Sequence, residues 1–131
     1  MKKILFALTG LLLLVTSCSN DNDKNPDSDN SRKVKYELTG TFSKKIRVTY
    51  INESGGNVTE DNVSIPWSKE VTFGKGTFAL GISGTSVVGQ EGTPGQTLTA
   101  KIFVNGTEKK VLTNSATNEG IISCTVADVL Q

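Results

Sequence analysis

The chain has 131 residues, 14 basic and 13 acidic side chains, and no histidine. That length holds one domain and little more. The near-neutral charge lacks the basic excess of nucleic-acid-binding domains, and the missing histidine removes the commonest general base and the commonest metal ligand.

In chain order, residues 1–17 read as a lipoprotein signal peptide. Lys2 and Lys3 precede an apolar run from Ile4 to Val15, broken by Thr9 and Gly10. A spanning helix wants about 20 apolar residues, so this shorter run suits the core of a cleaved leader. It ends in Val15-Thr16-Ser17-Cys18, which resembles a bacterial lipobox: an aliphatic residue, two small residues, then the cysteine whose thiol takes a diacylglyceryl group. The small residues admit the peptidase, and Cys18 becomes an acylated N-terminus. Several acyl chains anchor stably where a single one is marginal. Loss of Lys2 and Lys3 leaves 12 basic against 13 acidic groups.

Residues 18–31 are expected to form a lipidated, disordered tether. From Ser19 to Ser31 only Pro26 is apolar, so nothing offsets the entropy of ordering. A flexible stretch of about 13 residues spans about 20 Å root-mean-square. Its acidic bias is similar to the tag that routes some bacterial lipoproteins to the cell surface; a plain soluble spacer has the same composition. The expected location is the cell envelope, lipid-anchored, at the periplasmic or cell-surface face of the outer membrane.

Residues 32–131 alternate with period two, the pattern of half-buried strands. Val34, Tyr36 and Leu38 alternate with Lys33, Lys35 and Glu37, and Ile46, Val48 and Tyr50 with Lys45, Arg47 and Thr49. Gly55-Gly56 marks a turn. Val63 and Ile65 lead to Pro66-Trp67, where proline has no N–H for the ladder. Val71 and Phe73, a turn at Gly74-Lys75-Gly76, and Phe78, Leu80 and Ile82 follow. Residues 83–95 read as an exposed loop. Leu98, Ala100, Ile102 and Val104 resume the alternation, and Asn105-Gly106 signals a type I′ hairpin, which needs positive φ at both positions. The last strand turns Ile122, Cys124 and Val126 inward. Seven to eight short strands without helical periodicity predict an all-β antiparallel sandwich.

With Cys18 acylated, Cys124 is left as a lone thiol, expected to be a small core residue. Neither a nucleophile–base pair nor a phosphate-binding glycine motif occurs. Glu60-Asp61 is the only adjacent acidic pair of the domain, and strand neighbours point to opposite faces, so it reads as solvated turn surface rather than a cation site. The expectation is no catalytic residue, no metal and no cofactor. Two features are candidates for partner binding. Lys33, Lys35, Lys45 and Arg47 form a positive stripe if the first two strands pair, suited to anionic headgroups or an acidic partner; the same residues also suit an ordinary solvated face. Trp67, beside Pro66 at a strand break, is read as a plug closing one end of the sandwich with its indole N–H bonded locally, and otherwise as a sugar platform or interface anchor.

Several of these segments also resemble the MmpS family of transport accessory proteins. Val34-Lys35-Tyr36-Glu37-Leu38-Thr39-Gly40 and Arg47-Val48-Thr49-Tyr50-Ile51-Asn52-Glu53 are similar to its opening strands. Asn62-Val63-Ser64-Ile65-Pro66-Trp67-Ser68-Lys69 resembles its Val-Ser-Leu-Pro-Trp-Ser signature, and Ala100-Lys101-Ile102-Phe103-Val104-Asn105-Gly106 its Cys-Lys-Ile-Tyr-Val-Asp-Gly stretch. The resemblance implies an Ig-like sandwich without catalysis that assists RND-type transporters exporting siderophores or lipids, with Pro66 and Trp67 as signature positions. Two departures stand out. Typical members hold an N-terminal transmembrane helix, whereas this chain resembles a lipoprotein. Many carry a cysteine where this chain has Ala100, paired with one near Cys124; that bridge cannot form here. The expected function is a lipid-anchored accessory module with an envelope transporter or adaptor as partner. A surface-exposed lipoprotein that binds glycan or protein is the second expectation.

Overall fold

The alternation resolves into eight antiparallel strands: β1 (Arg32–Gly40), β2 (Ile46–Ile51), β3 (Asn57–Val63), β4 (Trp67–Phe73), β5 (Phe78–Ser86), β6 (Thr97–Val104), β7 (Thr107–Ser115) and β8 (Ser123–Leu130). The structure, a computed structural model, describes residues 30–131; the signal peptide, the lipobox with Cys18, and the tether up to residue 29 lie outside the described residues. The strands form two four-stranded sheets, ordered β4-β1-β6-β7 and β3-β2-β5-β8. The protein is a β-sandwich, as the turn spacing predicts.

Only the β2–β3 and β6–β7 hairpins stay within one sheet; the other connections cross between sheets. The β6–β7 turn is the predicted one: Asn105 (φ 49°) and Gly106 (φ 82°) both take positive φ, as the tight turn requires. The Ser64-Ile65-Pro66 segment carries the chain from β3 to β4 and interrupts the ladder where proline was expected to do so. The Ile65–Pro66 peptide is cis.

The inward residues of the alternation make the core. Val34, Tyr36 and Leu38 of β1 face Ile46, Val48 and Tyr50 of β2, with Phe73, Leu80, Ile82, Leu98, Ile102 and Cys124 around them, all buried. Buried aliphatic and aromatic side chains of this size each contribute about 1.5–3 kcal/mol. Cys124 has no solvent exposure and Ile122 and Val126 are buried beside it, as expected.

Two expectations change. Residues 83–86 continue β5 rather than opening a loop, pairing with β2 and β8 through Ser83, Gly84, Thr85 and Ser86. Gly84 belongs to the core: a Cβ there would sit 2.9 Å from Leu98 Cδ2 and 3.0 Å from Leu38 Cδ1. It is a site of close packing, not a turn. Glu60 and Asp61 lie within β3, not in a turn. β7 is exposed along its whole length, which is why only the turn before it marks it in the sequence.

Tyr36 is fully buried, and its hydroxyl makes no hydrogen bond of good geometry, although the main chain of Gly81 lies close enough to act on it. Burial pushes its pKa up to about 12 from 10.0, against the lowering influence of Gly81. The folded pKa lies above the unfolded one, so this contribution is fully present below pH 10 and is lost as pH rises through about 12. Urea unfolding across this window should show stability falling by about 2–3 kcal/mol from this group. Tyr36→Phe should flatten that fall and leave neutral-pH stability unchanged or up to about 1 kcal/mol higher. A loss of stability at neutral pH in that variant would show that the hydroxyl is satisfied.

Candidate docking surfaces

Trp67 opens β4 and pairs with Leu38 across the ladder. The edge strands β4 and β3 belong to opposite sheets and are joined through Pro66. The indole packs half-buried against the core, its ring 5.6 Å from that of Tyr50 at 45°. Tyr50 in turn lies 5.9 Å from Tyr36. Such tilted pairs add about 0.5–1.5 kcal/mol beyond area burial. The indole Nε1–H donates to Glu60 Oε2 at 3.0 Å. Trp67 is therefore a plug with a locally bonded N–H, as expected, but it closes the side of the sandwich between β3 and β4, not one end.

Glu60 is the residue that sequence reasoning missed. Its neighbour Asp61 points the other way and accepts from Arg47 Nε at 2.6 Å. The register of β2 and β3 shifts between Ile46 and Val48, and Asn62 takes φ 57°; this bulge sets the Asp61–Arg47 pair opposite itself. Asp61 holds the pKa of Arg47 above its ordinary value, first through the hydrogen bond and then through its charge. Among the described residues no group of three or more acidic or cysteine ligands is arranged to hold a metal.

The positive stripe does not form. β1 pairs with β4 and β6, and β2 with β3 and β5, so Lys33 and Lys35 lie on one sheet while Lys45 and Arg47 belong to the other. Lys45 donates to Ser64 Oγ and Arg47 is paired with Asp61. Lys35 bonds Glu37 Oε2 at 2.9 Å and sits 4.6 Å from the Phe103 ring centroid. Lys101 lies 5.9 Å from the same ring and 3.2 Å from Glu108. Phe103, flanked by two lysines on an outer face, gave no sequence signal because its position in the alternation is polar.

The Cys124 thiol donates to the Leu112 carbonyl at 3.2 Å. Burial raises its pKa, and the main chain of Ala100 and Asn114 partly offsets this. Ala100 is itself fully buried, so the β6 position that resembles a family cysteine is filled by a methyl group, with Cys124 against its main chain.

The model of the family described as Mycobacterium membrane protein matches residues 14–128. The chain belongs to this MmpS-like family. The match spans β1 to β7 and all but the last two residues of β8, and includes the Ser64–Trp67 corner. It places the protein among transport-associated envelope proteins. No curated protein matches the chain. Among the described residues no helix is long and apolar enough to cross a membrane.

Two measurements check this geometry. Trp67→Phe, followed by circular dichroism because the only tryptophan is lost, should lower unfolding free energy by about 1–2 kcal/mol. Glu60→Gln, which keeps an acceptor for the indole, should cost less than about 1 kcal/mol. In a chain carrying Cys18→Ser, Cys124 should resist iodoacetamide in the folded protein and react once denaturant opens the core, read as one added carbamidomethyl mass.

Proposed function

We propose that the protein is a lipid-anchored, non-enzymatic accessory module of the bacterial cell envelope that docks on a transport complex. The observation that carries this reading is the family match over residues 14–128, together with the Val63-Ser64-Ile65-Pro66-Trp67 signature built into a structural corner. The lipobox-like Val15-Thr16-Ser17-Cys18 supports an acyl anchor at Cys18 in place of the helical anchor of typical members. The sequence from Ser19 to Asp29 supports a spacer that sets the sandwich clear of the bilayer.

The glycan-binding reading draws less support from the geometry. Trp67 turns its ring onto Tyr50 and its N–H onto Glu60, which leaves little of the platform that a sugar ring needs.

The test is crosslinking in cells followed by affinity purification and mass spectrometry, on a chain that retains Cys18. The expected result is an acylated Cys18 and an RND-type transporter or its adaptor among the specific partners. Cys18→Ser should release the protein from the membrane fraction. An unmodified Cys18 would overturn the anchor, and a partner set containing only polysaccharide machinery or surface proteins would overturn the transport role.

A further inference from the structure

The two ends of the sandwich differ in charge. The end where the chain enters β1 gathers the Gly74–Thr77 loop, the Asn105-Gly106 turn and the end of β8, because Arg32 is opposite Phe73 and Phe78 is opposite Leu130. Arg32, Lys33, Lys75 and Lys109 lie there, against Glu53, Glu70 and Glu108, the last paired with Lys101. At the far end Lys44 and Lys45 are balanced by Glu91 and Glu119.

The cations at the entry end are held open rather than neutralised. Arg32 Nη2 donates to the Gly74 carbonyl at 2.6 Å and to the Gly76 carbonyl at 2.5 Å. Carbonyls fix the guanidinium without cancelling its charge, and its Nε is buried without a partner. Among the described residues, Lys33 and Lys75 form no ion pair. A hollow of about 540 Å³ opens between Arg32, Lys75, Thr77 and Asn105. A second, of about 280 Å³, opens between Lys33, Lys35, Glu70, Phe103 and Asn105; Lys35 is paired with Glu37. The two share Asn105, so they form one rim on which Arg32, Lys33 and Lys75 carry charge without a carboxylate bound to them.

We propose that this entry end is a docking surface for the anionic headgroups of a lipid bilayer. The proposal rests on the acyl anchor at Cys18. Only residues 19–29 separate Cys18 from Asn30, and 11 extended residues reach about 40 Å at most. The end of the domain nearest the bilayer is then the end with unpaired cations, which fits the attraction of basic groups to anionic headgroups. Phe103 adds an apolar ring of the sort that interfacial segments bury at the boundary of headgroups and acyl chains.

The test uses the mature chain carrying Cys18→Ser, so that no acyl group contributes, with phosphatidylcholine vesicles made with and without phosphatidylglycerol. Co-sedimentation at low salt should show binding that depends on phosphatidylglycerol and weakens as salt rises. Lys33→Gln combined with Lys75→Gln should weaken it about 30-fold, about fivefold for each cation near the surface. Lys44→Gln combined with Lys45→Gln, at the far end, should leave it unchanged. Equal binding to both vesicle types, equal loss from the two pairs of substitutions, or no binding at low salt would each overturn the proposal. So would binding that appears only when Asp21, Asp23, Asp27 and Asp29 are changed to Asn, since the chain's own acidic segment would then be the occupant. An unmodified Cys18 in cells would refute the anchor while leaving the vesicle result standing, which separates the two failures.

Discussion

Three rings tie the sheets together. Tyr36 comes from β1, Tyr50 from β2 of the opposite sheet, and Trp67 from the edge strand β4, at centroid separations of 5.9 and 5.6 Å. Cys124 is a free thiol, so packing of this kind holds the sheets without a crosslink between β6 and β8. Because the rings alternate between sheets, a shift of one sheet over the other breaks both pairs at once. A slip of one residue in β1 or β2 would also turn the whole inward row toward solvent. The ion pairs of the outer faces, such as Arg47–Asp61 at 2.6 Å, are half exposed and contribute little by comparison.

The strands were legible in the sequence because alternation reports which face a residue takes. It carries no information on which strand lies alongside. Hence Lys33, Lys35, Lys45 and Arg47 each lie on or beside the strands assigned to them, yet the four never meet. Composition misled at Gly84, where a glycine among serines and threonines looks like a loop but instead makes room for Leu98 and Leu38. It misled again at Glu60-Asp61, a pair whose two members serve different neighbours. β7, exposed throughout, was visible only through the Asn105-Gly106 turn. At the candidate surfaces, Trp67 and Pro66 announced themselves by rarity and position. Glu60 and Phe103 did not, because what they do depends on contacts between strands distant in sequence.

A sandwich whose connections mostly cross between sheets separates its two ends cleanly. One end receives the chain from residue 30 and carries the β2–β3, β4–β5 and β6–β7 turns. The other carries the longer segments over residues 87–96 and 116–122, which are stitched together by Gly92 N–H donating to the Gly120 carbonyl and Gly95 N–H to the Ala116 carbonyl. A Cβ at Gly120 would come within 2.2 Å of the Gly92 carbonyl oxygen, so the two segments lie backbone against backbone and make one continuous surface. Val88, fully exposed, and Ile121, about half exposed, project from it.

The sealed thiol of Cys124 has a consequence for manufacture and for life in the envelope. With Ala100 opposite it, the domain reaches its native state without an oxidant, a disulfide isomerase or a choice among pairings. Its folded state needs no oxidising surroundings, and no reductant can loosen it. The only interval in which Cys124 is open to chemistry is the passage from unfolded chain to closed sandwich. Closure of the sandwich is therefore what shields this thiol from oxidation and alkylation.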